Sequence, residues 1–331
     1  MKILATGATG YLGRRVVARL HEGGHEVLAL CRPGSAARLP PGVRHVEGDL
    51  LDDGSIRRAL RGCDTLVHMA AMVRMWAPHP GEFDRINVDA LAALLRAAGE
   101  AGIGRILCTS SVVALGPTDG ALGDETRQRA GLRFCTDYER TKWRAEMVIR
   151  ERVAAGLPVL TVYPGVVYGP GSPTQGNLMR TLLQRYREGR LQTRLGRPDR
   201  RICYAFIEDV AYGHLLALEG GRAGRGYVLG GENATQEDLF AMLQEISGQP
   251  PPRLRVPYWA GEALGYCLQA VARVTGIEPA VTAGVVATFR HEWAYSSERA
   301  IRELGYRVTP LREGLARTLN AAQGAVEGAW R

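Results

Sequence analysis

Tyr138 and Lys142 stand four residues apart in the run Y-E-R-T-K, within a stretch whose apolar residues repeat at helical spacing. On a helix, residues i and i+4 project from one face, so a phenol and an ammonium would lie side by side. Free tyrosine titrates near pH 10 and is a poor base at neutral pH. A neighbouring ammonium favours the phenolate, so Tyr138 could exchange a proton with an alcohol. With 12 tyrosines and Lys2 and Lys142 as the two lysines, one accidental Tyr-xxx-Lys arises in roughly 7% of such chains, so the pair alone is suggestive. Upstream, C-T-S-S closes an apolar run. A serine hydroxyl there, Ser111, can hydrogen-bond the same substrate oxygen and hold the reacting carbon in line. Asn87 could orient a proton-relay water or simply open a helix.

The N-terminus supplies a partner for this chemistry. The run M-K-I-L-A-T-G-A-T-G-Y-L-G places Gly7, Gly10 and Gly13 between a strand pattern and a helix pattern, with Thr9, Tyr11 and Leu12 interleaved. Glycine is needed where the backbone turns sharply and approaches a pyrophosphate, whose charge then faces the first amides of the helix. That reads as a dinucleotide site, and a nicotinamide cation would add to Lys142 in acidifying Tyr138, while Lys142 also grips the ribose. The second strand ends at Cys31-Arg32, where a site for NAD usually carries Asp or Glu on the ribose hydroxyl. Arg32, with Ser35 and Arg38, instead suits a 2′-phosphate, which favours NADP and leaves NAD open. In G-D-L, Asp49 can accept from an adenine amino group with Leu50 against the ring. In H-M-A-A, Ala70 and Ala71 let backbone lie along the cofactor, and His68, closing a buried strand, is read as structural.

These residues require a particular scaffold. Strand-like runs fall at 3–6, 26–31, 43–47, 65–69, 105–109 and 159–163, alternating with helical patterns at 11–22, 55–61, 83–101 and 137–155. Alternation of this kind predicts an α/β, Rossmann-type doubly wound parallel sheet over residues 1–165. Residues 166–331 read as a smaller, mainly helical substrate lobe that returns at least once to the sheet. Stretches 259–274 and 284–293 read as amphipathic helices, the first as a pocket wall.

The chain has 331 residues with 46% hydrophobic and 23% charged, which excludes a disordered chain. No apolar run reaches the roughly 18 residues of a membrane span. Six scattered cysteines without a CxxC pair argue against a zinc site or disulfide framework and fit a reducing cytoplasm, and the opening strand leaves no room for a signal peptide. The net charge of +8 rests on arginine, densest at 180–201. A solvated surface is one reading of that cluster, and a site for a phosphorylated substrate or nucleic acid is the other. Without interleaved aromatics, no nucleic-acid partner is expected.

Taken together, T-G-A-T-G-Y-L-G, G-D-L, H-M-A-A, T-S-S and Y-E-R-T-K resemble the extended and atypical branch of the short-chain dehydrogenase/reductase superfamily, the NAD-dependent epimerase/dehydratase family. The resemblance places the catalytic hydroxyl five residues before the glycine of T-S-S-V-V-A-L-G, at Ser111 rather than Ser110. It extends to Y-P-G-V-V-Y-G-P-G, which implies cofactor contacts at Tyr163, Pro164, Gly165 and Val166, and to F-I-E-D-V and Y-S-S-E-R-A-I-R-E-L-G-Y. The segments A-L-G-P-T-D-G, F-C-T-D-Y-E-R-T-K, G-E-N-A-T and R-H-E-W-A-Y-S are similar to the dihydroflavonol-reductase-like group, particularly farnesol dehydrogenases. The implied activity is interconversion of an alcohol and its carbonyl on a large apolar small molecule such as a prenyl alcohol, sterol or flavonoid. That likeness implies NAD, against the reading of Arg32. A homodimer paired through helices is a further implication. Met72, Met75, Trp76, Val113, Phe134, Met179, Leu182 and Tyr204 would wall the pocket, with core packing as the competing reading of each. A nucleotide-sugar epimerase or dehydratase is the first alternative, although no Asp-Glu pair follows Ser111. A non-catalytic nucleotide-sensing or RNA-binding module is the second.

Overall fold

The computed structural model describes residues 1–171 and 177–327, so residues 172–176 and 328–331 of the expected second lobe lie outside the described residues. The first half runs β1 (Lys2–Thr6), α1 (Tyr11–Glu22), β2 (Glu26–Cys31), β3 (Arg44–Glu47), α2 (Asp53–Leu60), β4 (Thr65–His68), α3 (Gly81–Asp84), α4 (Ala90–Glu100), β5 (Arg105–Thr109), α5 (Val112–Leu115), α6 (Asp137–Ala154) and β6 (Val159–Pro164). There follow β7 (Val166–Tyr168), α7 (Leu178–Arg187), β8 (Thr193–Leu195), β9 (Ile202–Phe206), α8 (Ile207–Gly220), β10 (Gly226–Leu229), β11 (Asn233–Ala234), α9 (Gln236–Ser247), β12 (Leu254–Val256), α10 (Tyr258–Thr275), α11 (Ala283–Thr288), α12 (Glu298–Leu304) and α13 (Leu311–Glu327).

Seven strands pair in parallel in the order β10-β6-β5-β4-β1-β2-β3. This is the Rossmann-type doubly wound sheet, with its order reversing between β1 and β4, where such folds open a crevice at the strands' carboxyl ends. Both faces are covered, as the apolar central strands require. On one face Val16, Val17 and Leu20 of α1 pack with Val210, Ala211 and Leu218 of α8 against Ile3, Val67 and Leu107. On the other, Ile56, Leu94, Leu95, Ala145 and Ile149 from α2, α4 and α6 cover Leu4, Leu66, Ile106 and Val159. Each such leucine or isoleucine withdraws roughly 1.5–3 kcal/mol of side chain from water.

After β6 the chain builds a small sheet, β11-β9-β7, beside α7, α9 and α13, around Tyr168, Leu183, Phe206, Phe240 and Leu315. It re-enters the large sheet once, as β10.

Two regions depart from the sequence reading. The helix expected over 284–293 stops at Thr288. Beyond it Trp293 bridges Ile202, its backbone exchanging bonds with Arg201 and Cys203, and the Tyr295 hydroxyl reaches the Gly116 carbonyl. These long-range partners draw the chain into extended form. The α10 helix forms as expected but presents the opposite face. Gly261, Gly265 and Ala272 are its buried residues, while Trp259, Leu264 and Tyr266 point outward. The cause is backbone proximity, since a Cβ on Gly265 would sit 2.3 Å from the Ala283 nitrogen. Large residues cannot enter that seam, and the expected pocket wall at Trp259–Leu268 is therefore solvent-facing.

Candidate active site

The glycine turn is built by contact. Gly7 has φ of +74°, and a Cβ there would lie 2.5 Å from the Ala70 nitrogen; one on Gly13 would lie 2.1 Å from the Gly7 carbonyl oxygen. A side chain at either would push the turn away from the strand end beside it. The Gly10 amide donates to that same carbonyl at 3.0 Å. Gly10 caps α1 without a side-chain bond, and the first turn carries no acid. Its leading amides are left for an anion. Thr9 is half-buried in the turn, and Leu12 packs against the α1 core. Tyr11 lends the site its backbone, because its hydroxyl is spent on the Gly169 carbonyl at 2.9 Å.

Along the crevice, Arg32 and Arg38 are exposed, with no ion pair among the described residues, and the Ser35 hydroxyl donates to the Arg32 carbonyl at 2.5 Å. Asp49 is exposed, one carboxylate oxygen accepting from the Leu51 amide at 2.9 Å, and Leu50 packs on the core. Ala70 and Ala71 line a small cleft with His68, Asn87, Thr109, Ser110 and Lys142. The Ser110 hydroxyl is buried there without a hydrogen-bond partner. The uncapped helix start, the glycine cradle and this orphaned hydroxyl fit a dinucleotide. Tyr163 turns its hydroxyl down onto Glu146 at 2.7 Å, so only its backbone faces the crevice edge with Pro164, Gly165 and Val166. Gly165 is pinned there, as a Cβ would meet the Cys203 carbonyl at 2.6 Å.

The reactive residues converge at the ends of β5 and α6. Ser111 caps α5, its hydroxyl accepting from the Val113 amide at 3.5 Å, and Tyr138 stands in the first turn of α6. One helical turn on, the buried Lys142 ammonium donates to the Thr109 carbonyl at 3.2 Å. The mouth of α6 is tightly held. Thr136 accepts from the Glu139 amide at 3.1 Å, and Glu139 accepts from the Cys135 amide at 2.8 Å. The Arg129 guanidinium lies 2.6 Å from the other Glu139 oxygen, an ion contact with both side chains buried. Arg140 forks onto Asp84 at 2.8 and 2.6 Å, tying α6 to α3. Tyr138 packs with Met72, Ala77 and Phe83.

The electrostatics differ from the sequence reading. Burial pushes the Tyr138 phenol up to about 12, and the opposing influence is the Ser111 hydroxyl, not Lys142. The same burial brings Lys142 down to about 8, against the pull of Cys108 and Glu146. Desolvation outweighs the ammonium, so at neutral pH Tyr138 carries its proton. His68 is held near 3 by burial and by the Lys142 charge. Neutral, it bonds Thr6 at 2.7 Å and ties β4 to β1. Asn87 is likewise a brace. Its carbonyl accepts from the Met72 amide at 2.7 Å, and its amide donates to Thr141 at 3.0 Å. It sits in a widened helical turn, Arg85–Asp89, between α3 and α4.

Among the wall candidates, Met72 is buried, and Met75, Trp76 and Val113 are half-buried, the first two following Met72 in the loop after β4 and Val113 two residues after Ser111. Phe134 stands before α6, its ring 5.5 Å from that of Trp143 and under the Arg129 guanidinium at 4.3 Å. Met179 and Tyr204 are buried in the core of the second lobe, with Leu182 packed against it. For these three the packing reading holds.

Residues that the motifs did not single out include Arg129, Glu139 and Thr141, together with His214, whose ring bonds the Thr109 hydroxyl at 3.0 Å. The T-x-x-E spacing of Thr136 and Glu139, a helix-start signature, was a readable signal for the first cluster.

Similarity to known proteins extends over most of the chain. Residues 3–230 match the family model described as the NAD dependent epimerase/dehydratase family. A Synechocystis sp. protein named, provisionally, dihydroflavonol 4-reductase is 32% identical over 94% of this chain and 91% of its own. A 2-alkyl-3-oxoalkanoate reductase of Stenotrophomonas maltophilia is 30% identical over 98% of this chain and 100% of its own. The crystal structure of gox2253 superposes with a TM-score of 0.83, at 32% identity and covering 98% of both chains. The chain belongs to the NAD-dependent epimerase/dehydratase family of extended short-chain dehydrogenases/reductases.

Proposed function

We propose that this chain is a nicotinamide-dependent oxidoreductase that interconverts a carbonyl and its alcohol on a largely apolar small molecule. The observation that carries the reading is that the ends of β5 and the start of α6 bring Ser111, Tyr138 and the buried Lys142, bonded to the Thr109 carbonyl, to one end of the crevice. The dinucleotide, when bound, supplies or accepts the hydride. Tyr138, protonated at neutral pH, gives its proton to the carbonyl oxygen, and Ser111 donates a second hydrogen bond to that oxygen. Lys142, charged below about 8, steadies the phenolate left behind and reaches the ribose. Asn87 positions the loop at Met72 rather than touching the reacting atoms.

Support for an apolar substrate comes from Met72, Ala77 and Phe83 beside Tyr138, and from the two relatives named as reductases. Prenyl, sterol and flavonoid-type carbonyls are the classes to compare. For the cofactor, Arg32 and Arg38 without carboxylate partners favour a 2′-phosphate and hence NADP over NAD.

The test is a screen that follows nicotinamide absorbance with NADPH and NADH across prenyl aldehydes, sterol ketones, flavonoid-type ketones and UDP-sugars, with Tyr138→Phe as the blank. Stoichiometric oxidation with an apolar carbonyl is expected. Conversion of a UDP-sugar without net absorbance change would replace the reading with epimerisation. For the cofactor, Arg32→Ala is expected to cut the NADPH:NADH ratio of kcat/KM about tenfold, and a strong NADH preference unchanged by that substitution would remove the assignment.

A further inference from the structure

The outward face of α10 is the molecule's clearest unexplained surface. Trp259 is 72% exposed, Tyr266 68%, Val271 57% and Val274 88%, and Ile277 just beyond the helix is 72% exposed. At 100° per residue, Trp259, Ala263, Tyr266, Ala270 and Val274 fall on one stripe, opposite the buried Gly261, Gly265 and Ala272. Eighteen residues give a stripe about 27 Å long. No helix among the described residues is long and apolar enough to cross a membrane, so this one would lie on a surface.

Charge decides what that surface is. The charged groups of α10 are Glu262, held by Arg290 at 2.6 Å, and Arg273, which is exposed with no ion pair among the described residues. Arg253 is also exposed and unpaired among them, next to the 62%-exposed Leu254 at the start of β12, which leads into α10. β12 pairs in parallel with β8, Leu254 opposite Thr193, so the register sets the arginine-rich 180–201 segment beside the start of this helix. An anionic partner with an apolar interior meets both features.

We propose that α10 is an interfacial helix that docks this protein on an anionic lipid bilayer, with Trp259 and Tyr266 at the headgroup level, Val274 among the acyl chains, and Arg253 and Arg273 on lipid phosphates. The docked face lies near the reactive end of the molecule. The inner seam of α10 packs on α11, and Gly284 of α11 is pressed onto the Cys135 carbonyl, three residues before Tyr138. Docking does not depend on the proposed reaction, because its test reads binding.

The test is sedimentation of the full chain with vesicles of phosphatidylcholine alone and with about one-third phosphatidylglycerol. The second readout is an environment-sensitive fluorophore on Cys267, the exposed cysteine of this face. Binding is expected only with the anionic vesicles, weakened by high salt and accompanied by a blue shift at Cys267. The pair Trp259→Glu and Val274→Glu is expected to weaken it at least tenfold, and Arg253→Glu with Arg273→Glu about tenfold. All four positions are exposed, and an unchanged circular dichroism melt establishes that each variant is folded. The proposal is overturned if neither vesicle binds, or if the variants bind as the parent does. A dimer that Trp259→Glu dissociates, without lipid binding, would assign the face to a second copy instead.

Discussion

The starts of α1 and α6 flank the same crevice and are built in opposite ways. α1 opens on Gly10 with no side-chain cap and no acid in its first turn. α6 opens on Thr136, carries Asp137 and Glu139 in its first turn, and is tied down by Arg129 and Arg140. The first leaves its backbone donors for a partner that arrives with negative charge, while the second caps its start with side chains so that the phenol in its first turn stays in one place. A binding element and a positioning element thus differ in where their unsatisfied groups are left.

The contrast can be broken from either side. The largest effect is expected at the open end. Gly13→Ala sets a methyl 2.1 Å from the Gly7 carbonyl oxygen, and dinucleotide affinity, measured by calorimetry on folded protein, should fall at least a hundredfold. At the closed end, Glu139→Ala strands Arg129 without its buried partner and should cost about 3 kcal/mol in urea unfolding. Activity should fall with it, and Glu139→Gln should recover only part of each. Lys142→Met should be more stable than the parent at pH 7, by about 2 kcal/mol, yet inactive. The sign follows from Lys142 titrating near 8 in the fold and near 10.4 unfolded. Between those values the unfolded chain holds the extra proton, so parent stability rises with pH there. The advantage of the methionine should be full below about pH 8 and vanish by about pH 10.5 in paired melts. Thr136→Ala should be mildest, removing one cap for about 1 kcal/mol.

Much of the scaffold was legible because period and punctuation are local signals. β2, β5 and α1 occur at the residues where alternation and helical spacing place them, and the glycines fall in the turn between β1 and α1. The Tyr138–Lys142 pair was legible for the same reason. What was not legible depends on neighbours distant in sequence. Periodicity reports that α10 has an apolar stripe but not that α11 approaches closely enough to demand glycine inward and leave the stripe outside. Trp293 is apolar within a helical pattern, and its partner strand β9 overrides that pattern. Asn87 reads in sequence as a relay residue or a helix start, and only the fold shows its amide meeting Met72 and Thr141. Tyr138 and Lys142 read in sequence as a phenol and a charge in water; in the fold, desolvation outweighs their attraction, and Ser111 becomes the group that lowers the phenol. Met179 and Tyr204 illustrate that apolar residues of a wall and of a core share one signature.

The central claim is that Tyr138, acting with Ser111 and Lys142, passes the proton while the glycine turn binds the dinucleotide independently. Single-turnover absorbance of Tyr138→Phe, with dinucleotide affinity measured on the same sample, tests it most directly. The account predicts a rate at least a thousandfold below the parent with affinity within about threefold. A Tyr138→Phe protein turning over within tenfold of the parent would contradict it.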